Sequence, residues 1–166
     1  AGGSFAAPAE EISSNAFNAI VETNLGIAFY CSSAALKIMK NQPHGGKIIN
    51  ISSTAGYYPN VTRAPYSAAK SGLNILTQAL AVEWAPYNVT VNGLAPGYID
   101  TSKSISLGSG DTKEIALGRR GKPEDLFGAA MFLVSEYSNY ITGETIRVDG
   151  GILGAMRKDD IAMIKG

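Results

Sequence analysis

Three residues with chemically useful side chains lie near predicted strand and helix ends: Ser53 directly after a strand, and Tyr66 and Lys70 in the next helix. Residues four apart share one helix face, so Tyr66 and Lys70 should be neighbours. A phenol is a weak acid, with a pKa of about 10 in water, and both a nearby ammonium and the positive end of a helix favour its phenolate form. Ser53 could hold a substrate oxygen beside that phenol. The pattern indicates a proton donor for an oxygen that gains negative charge, as in the reduction of a ketone.

Each of these features alone also has an ordinary structural explanation. Tyr66 and Lys70 fit a solvated helix face, a serine pair after a strand is usually a turn, and a mid-helix Asn24 can be a bend or a cap. Their joint placement favours chemistry, because Pro96 and Gly97 directly follow the next strand. The carboxyl ends of parallel strands meet at one ligand crevice.

The elements that must position these side chains alternate along the chain. Their order predicts an α/β fold with a parallel sheet covered by helices. Ser13 or Ser14 could cap the first helix, Gly26 could mark a bend in it, and Cys31 on its apolar side is predicted to be core. Pro65 suits the first turn of the second helix. Helices are predicted over 15–40, 65–85 and 123–135, strands over 47–52, 89–94 and 145–148, and a loop with a short helix over 102–121.

Composition bounds the class of protein. The 166 residues, 45% hydrophobic and 17% charged, fit one globular domain over 1–166, and zero net charge argues against nucleic acid or an anionic membrane as partner. We expect no membrane span, since no apolar run approaches the required length. One cysteine and one histidine exclude an intrachain disulfide and a cysteine- or histidine-rich metal site, so no metal is expected. A single cysteine fits a reducing cytoplasm.

Longer motifs carry a resemblance to a known family. Ser53 precedes Tyr66 by thirteen positions, within a run that resembles the signature of the classical short-chain dehydrogenases/reductases. The resemblance extends to about Gly151 and implies the C-terminal part of a three-layer, Rossmann-type parallel sheet. The segments that match the family are Gly46–Ser53, Pro65–Lys70, Val91–Thr101, Thr23–Gly26, Thr142-Gly143, Val148–Gly151 and Ala1-Gly2.

The resemblance implies roles for these residues and a cofactor, NAD or NADP. Tyr66 would exchange a proton with the substrate oxygen, and Lys70 would assist the phenol and bind the nicotinamide ribose. Ser53 would orient the carbonyl, and Asn24 would hold a water that connects Lys70 to solvent. The residues expected to contact the cofactor are Ala1, Gly2, Tyr66, Lys70, Pro96, Gly97, Ile99 and Thr101.

The chain also departs from the family. The glycine-rich phosphate loop, its strand and helix, and the residue that selects NAD or NADP would all lie before Ala1. We therefore expect these 166 residues alone to be inactive. We also expect the first strand to lack a neighbour, which leaves an apolar edge prone to aggregation.

The substrate expected from the resemblance is a small carbonyl compound or secondary alcohol. The segments at 83–87 and 95–98 resemble members that act on sugars, polyols and sugar acids, and the loop 102–121 would close over the substrate. A 3-oxoacyl-thioester reductase is the alternative activity. A non-catalytic dinucleotide-binding protein is the alternative from another class, and the short segment after Gly97 argues against an epimerase or dehydratase. The family resemblance further implies a homotetramer.

Overall fold

The computed structural model describes residues 2–101 and 112–152, and within them three parallel strands form one sheet. The strands are β1 (Gly46–Ile51), β2 (Val89–Pro96) and β3 (Thr145–Val148), in the order β1-β2-β3. Ile48 of β1 pairs with Val91, and Leu94 pairs with Ile146 of β3. The predicted parallel sheet is confirmed. Its strands lie where the buried apolar runs predicted them, although β2 continues two residues further.

Helices cover both faces of this sheet. The long helix α3 (Ala64–Trp84) packs on β2, and α4 (Phe127–Val134) packs against β1 and β2. In β1, Ile48 joins the cluster under α3, whereas the neighbouring Lys47 donates to Ser138, just beyond α4. Because successive side chains of a strand point to opposite faces, the two helices lie on opposite sides. The predicted three-layer, Rossmann-type arrangement is confirmed.

The core fixes α3 in place. Leu80, Ala81 and Trp84 of α3 pack against Val89 and Val91 of β2, and all five are buried. Burying a large apolar side chain stabilises a fold by roughly 1.5–3 kcal/mol, so this contact anchors the C-terminal half of the helix firmly. Its first two turns are thereby held beside the carboxyl ends of the strands.

The first helical segment is interrupted. The predicted single helix is α1 (Ser14–Val21), a π-helical turn (Glu22–Gly26) and α2 (Ile27–Met39). Ser13 caps α1, because its Oγ accepts a hydrogen bond of 3.2 Å from the Ala16 N–H. The predicted irregularity near Gly26 is therefore a π turn, and Asn24 lies inside it.

This helical segment also corrects an expectation about membranes. Over Ser14–Met39, among the described residues, the chain is long and apolar enough to cross a membrane by length and composition, with a mean hydropathy of 1.2 in its best window. The prediction that no apolar run approaches that length is therefore wrong. One such helix is weak evidence for a span, since core helices and signal sequences pass the same criterion. The buried residues of the segment, Asn24 and Ser32, are polar.

A groove follows the second edge of β1, which has no strand partner within the described residues. The groove has a volume of about 390 Å³ and lies between β1 and α2. Across its floor the Ser32 hydroxyl donates to Asn50 Oδ1 at 3.4 Å. Cys31 lies in this groove and is exposed, so its predicted place in the core is wrong.

The chain between β2 and β3 contains the predicted third helix and part of the predicted loop. A 3-10 turn (Pro123–Leu126) leads into α4, within the span predicted for one helix. Residues 112–121 form turns and isolated bridges, of Ile99 with Gly121 and of Ile115 with Ile152, and this described part of the loop contains no helix. Residues 102–111 of the predicted loop lie outside the described residues.

Candidate active site

Ser53 lies where β1 ends. The backbone pairing continues to Ser52, whose N–H donates to Leu94 O at 2.8 Å, and the chain then enters a 3-10 turn over Thr54–Gly56. The Ser53 Oγ accepts a hydrogen bond of 3.1 Å from the Ala55 N–H, which caps this turn. Since the hydroxyl accepts from the backbone, its own proton is free to donate to a ligand.

Tyr66 and Lys70 lie on one face of the first two turns of α3. The Lys70 Nζ is 5.7 Å from the centre of the Tyr66 ring, and it donates to Ile51 O at 2.9 Å. Lys70 is only 6% exposed, and this burial lowers the pKa of its amine. The amine is therefore beside the phenol, fixed to the strand tip that precedes Ser53, with two further N–H groups to donate.

The turn that carries Ser53 packs directly on the backbone of α3. A Cβ added at Gly56 would lie 2.8 Å from Lys70 O and 2.9 Å from the Asn74 amide nitrogen, so only glycine fits there. The Ser52 hydroxyl donates to Asn74 Oδ1 at 2.5 Å, and Asn74 donates on to Gly56 O at 3.4 Å. These contacts hold the turn that carries Ser53 against the helix that carries Lys70. The sequence interpretation missed Gly56 and Asn74, which belong to no recognisable catalytic type.

Asn24 joins the N-terminal segment to the π turn. Its Nδ2 donates to Gly3 O at 2.8 Å and to Ile20 O at 2.9 Å. Its Oδ1 is buried and has no hydrogen-bond partner among the described residues, and a Cβ added at Gly2 would lie 2.9 Å from it. A buried acceptor of this kind favours a bound donor such as water. Ala1 lies outside the described residues.

Pro96 and Gly97 end β2 beside β3. The Gly97 N–H donates to Val148 O at 3.0 Å, and a Cβ at this position would come within 2.8 Å of the Asp149 Cα. The close approach that requires glycine here is therefore to the chain's own backbone. Ile99 follows, at the start of the segment that leads to Thr101 and the loop.

A cleft of about 510 Å³ opens beside the Ser53 turn and the segment after Gly97. Polar and aromatic side chains from both segments line it, together with the loop that precedes α3. In that loop Thr62 adopts a φ of 66°, which is strained for a β-branched residue. The lining residues are Ala6, Thr54, Tyr58, Pro59, Asn60, Val61, Thr62, Arg63, Tyr98, Glu114 and Ile152.

An arginine of β3 holds the far side of the Ser53 turn. The Arg147 guanidinium carbon lies 5.5 Å from the ring centre of Tyr57 and 5.9 Å from that of Tyr58. The Arg147 Nη1 donates a hydrogen bond of 2.7 Å to the Tyr58 hydroxyl. The Tyr57 hydroxyl donates to Thr145 O at 3.2 Å. The turn is thus tied to β3 as well as to α3, through contacts that no sequence pattern predicts.

Ion pairs connect the two ends of the loop between β2 and α4. Arg120 pairs with Asp100 at 2.6 Å and lies over the Tyr98 ring, and Arg119 pairs with Asp125 at 2.7 Å. The hydrogen bond from Arg119 and the Lys122 N–H hold the pKa of Asp125 well below its ordinary range. Both arginines are therefore ion-paired, and the Arg119 side chain is 54% exposed. Within 2–101 and 112–152, no group of three or more His, Cys, Asp or Glu residues is arranged to hold a metal.

Comparisons with known proteins identify a matching family and similar enzymes. A family model described as enoyl-(acyl carrier protein) reductase matches residues 1–153. The chain is 38% identical over 149 residues to a 2-dehydro-3-deoxy-D-gluconate 5-dehydrogenase of Escherichia coli, covering 86% of this chain and 59% of the relative. It is 42% identical over 138 residues to a 3-oxoacyl-(acyl-carrier-protein) reductase of Aquifex aeolicus, covering 80% and 55%.

A solved structure shows the same fold. The gluconate 5-dehydrogenase of Burkholderia cenocepacia, in complex with NADP and tartrate, superposes with a TM-score of 0.87 at 35% identity, over 94% of this chain and 63% of that one. The chain thus spans less than two thirds of the length of these relatives. On the family match over residues 1–153 and these similarities, the chain belongs to the short-chain dehydrogenase/reductase family.

Proposed function

We propose that the protein carrying this chain is an NAD(P)-dependent oxidoreductase that moves hydride between a nicotinamide and a carbonyl or secondary alcohol. The observation that carries the proposal is the Lys70 amine 5.7 Å from the Tyr66 ring, with the Ser53 turn packed on the backbone of the same helix. The names of the relatives support it, since they are oxidoreductases of this kind.

The residues present fit a nicotinamide nucleotide. Lys70 keeps two N–H groups for ribose hydroxyls, and Asn24, whose Oδ1 is an unpaired acceptor among the described residues, lines the same groove. Tyr66, Pro96, Gly97, Ile99 and Thr101 are the other described residues proposed to contact the cofactor, with Gly2 near Asn24. When bound, the nicotinamide accepts or donates a hydride at its C4 carbon.

The protein's own groups manage the proton and the charge. In reduction, the substrate carbon gains a hydride and the Tyr66 phenol gives its proton to the substrate oxygen, so that a carbonyl becomes an alcohol. Ser53 donates a hydrogen bond to that oxygen while its negative charge develops. Lys70 stabilises the phenolate left on Tyr66. In oxidation the same steps run backwards, and the alcohol proton passes to the phenolate.

The relatives leave two substrate classes open. Relatives are described as acting on sugar acids and as reducing 3-oxoacyl groups. We favour sugars, polyols and sugar acids, because the cleft beside Ser53 is lined largely by polar groups. In this proposal the loop 102–121 closes over the substrate, and Glu114 already lines the cleft.

Replacement of one hydroxyl tests the proposal. Tyr66→Phe removes the proton donor and keeps the ring, so kcat should fall roughly 100- to 10,000-fold while the Kd for NADPH changes little. Tyr87→Phe is the matched control, because Tyr87 is exposed at the opposite end of α3 and should keep full activity. Unchanged turnover in Tyr66→Phe would contradict this function. Cofactor binding without turnover in the parent protein would support the non-catalytic alternative.

We further propose that the protein assembles as a homotetramer and works in the cytoplasm. The segment from α4 onwards exposes large apolar and aromatic side chains: Phe127, Met131, Val134, Tyr137 and Tyr140. Several large apolar side chains exposed within one short segment favour contact with another copy. Sedimentation velocity should give four times the monomer mass, and a monomer would contradict the assembly.

A further inference from the structure

The cleft beside Ser53 has charged groups that the proposed chemistry does not use. Arg63 and Glu114 both line it, and within the described residues neither side chain has a hydrogen bond or an ion pair. No ion pair joins the two to each other, although both border one cavity of about 510 Å³. The cleft therefore presents a separate cation and a separate carboxylate to whatever binds there.

Arg63 is held in place by its backbone. It is the residue immediately before α3, three positions ahead of Tyr66, so it lies one helical turn from the phenol. Its N–H donates to Asn60 O at 3.1 Å, its carbonyl accepts from Ser67 N–H at 3.0 Å, and the Asn60 N–H donates to Ser67 Oγ at 3.1 Å. These bonds fix the start of the Arg63 side chain relative to α3.

The residue before Arg63 has a strained backbone, which is a second indication that this loop forms a binding site. Thr62 adopts a φ of 66°, and its carbonyl accepts from the Ala7 N–H at 2.9 Å. A β-branched residue is strained in this region, and such strain concentrates at ligand-binding sites. Here the strained turn directs the chain so that Arg63 borders the cleft.

We infer that Arg63 binds the carboxylate of the substrate, which makes the substrate class a hydroxy acid or keto acid with several hydroxyl groups. The inference rests on the proposed function. Guanidinium groups bind carboxylates through strong, paired hydrogen bonds. Glu114 is not paired with Arg63, so its carboxylate can accept hydrogen bonds from the hydroxyl groups of the same molecule. Asn60 and Thr54 also line the cleft and can bind further hydroxyl groups.

Charge, rather than size, distinguishes the candidates. A polyol without a carboxylate leaves Arg63 unpaired, whereas a long acyl chain would meet a lining that is mostly polar. A polyhydroxy acid satisfies both charged groups and the neutral ones. D-Gluconate and D-glucitol are suitable probes, because they carry the same chain of hydroxyls and differ by a carboxylate in place of a CH₂OH group.

Steady-state oxidation of these two compounds with NADP⁺ and NAD⁺ tests the inference in the complete protein that carries this chain. Arg63→Gln should raise the KM for D-gluconate roughly 10- to 100-fold, with kcat within about threefold. The same substitution should leave D-glucitol kinetics unchanged, and Arg63→Lys should recover part of the loss. Lys40→Gln removes an exposed cation at the end of α2 and should change neither substrate.

Two results would overturn the inference: an unchanged D-gluconate KM in Arg63→Gln, or a parent enzyme that oxidises D-glucitol better than D-gluconate. If neither compound is turned over, calorimetry of D-gluconate binding to the NADP⁺-loaded protein decides. Saturable binding that is lost in Arg63→Gln supports the carboxylate site, and its absence in the parent overturns it. Tyr66→Phe keeps the two proposals separate, since it tests the chemistry without touching Arg63.

Discussion

Lys70 is a buried lysine, and burying its charged amine is unfavourable for folding. Its amine is buried against the strand tip, and burial lowers its pKa because a charge is poorly solvated there. The single described hydrogen bond of its Nζ, to Ile51 O, does not replace a full hydration shell. A buried amine beside a phenol therefore costs stability and supplies the positive charge that the proposed chemistry requires.

Replacing Lys70 by Met should reveal this cost as a pH effect. The folded pKa lies below the unfolded value near 10.5, so between the two values the unfolded chain binds more protons. Stability of the parent protein should therefore rise with pH in that window. Urea unfolding from pH 7 to 10.5 should show a parent curve that rises relative to Lys70→Met.

Lys37→Met is the control for this measurement, because Lys37 is exposed on α2. Its difference from the parent protein should stay constant with pH. Parallel curves for the parent and Lys70→Met would contradict the assigned burial effect. Lys70→Met should also lose turnover, since the phenolate then has no cation beside it.

The catalytic candidates could be predicted from the sequence, and their supports could not. Ser53, Tyr66 and Lys70 have reactive side chains at a recognisable spacing next to predicted element ends. Asn74 and Arg147 act through contacts with residues far along the chain, to Ser52 and to the two tyrosines. The residues next to Asn74 and Arg147 in the sequence do not indicate which distant residues these side chains contact.

The packing of the Ser53 turn on α3 predicts an effect of a single methyl group. Gly56→Ala would place a Cβ 2.8 Å from Lys70 O, a backbone atom that has little room to adjust. The turn should move away from the helix, which costs about 1–3 kcal/mol of stability and separates Ser53 from Tyr66. Turnover should fall about 100-fold, measured as kcat of the complete protein.

Gly128→Ala makes the matched comparison, because a Cβ at Gly128 meets nothing within 4 Å and the residue is exposed on α4. Alanine there should stabilise the protein by about 0.5–1 kcal/mol, without loss of turnover. Wild-type kcat in Gly56→Ala would show that the turn and the helix are not coupled as described.

The bounds of the buried strands and of α3 could be predicted from the sequence to within one or two residues, because burial determines their apolar pattern. The apolar runs of β1 and β2 and the apolar stripe of α3 are recognisable because each periodicity matches its element. The π turn at Glu22–Gly26 was not predictable in kind, since its five residues keep the composition of an ordinary helix. Only Gly26 signalled an irregularity.

Considered as a whole, the described chain leaves one edge of its sheet, that of β1, without a strand partner. The second edge of β1 borders a groove of about 390 Å³, and Ile51 at the end of the strand is 54% exposed. An unpaired strand edge is a template for pairing with another chain. The chain spans 59% and 55% of the length of two of its relatives.

The 166-residue chain alone should therefore aggregate through β1. Ile51→Lys places a charge at that edge and should slow the rise of light scattering at 37 °C at least several-fold. Val61→Lys, at an equally apolar but 89% exposed position away from the edge, should not slow it. Equal effects of the two substitutions would indicate general charge repulsion instead of pairing at the strand edge.

The π turn has a consequence for insertions and deletions. A π turn holds one more residue than the α-helical turn it replaces, and each residue of an α-helix advances the chain by about 100°. Deleting one residue within Glu22–Gly26 would therefore leave an ordinary α-helical turn and keep α2 close to its present orientation. Ser32 would stay opposite Asn50, and the same side chains would line the groove. Deleting a residue of α2 before Ser32 would instead turn Ser32 away from Asn50 by about 100°, so the π turn is the point in this helix that accommodates a change of length.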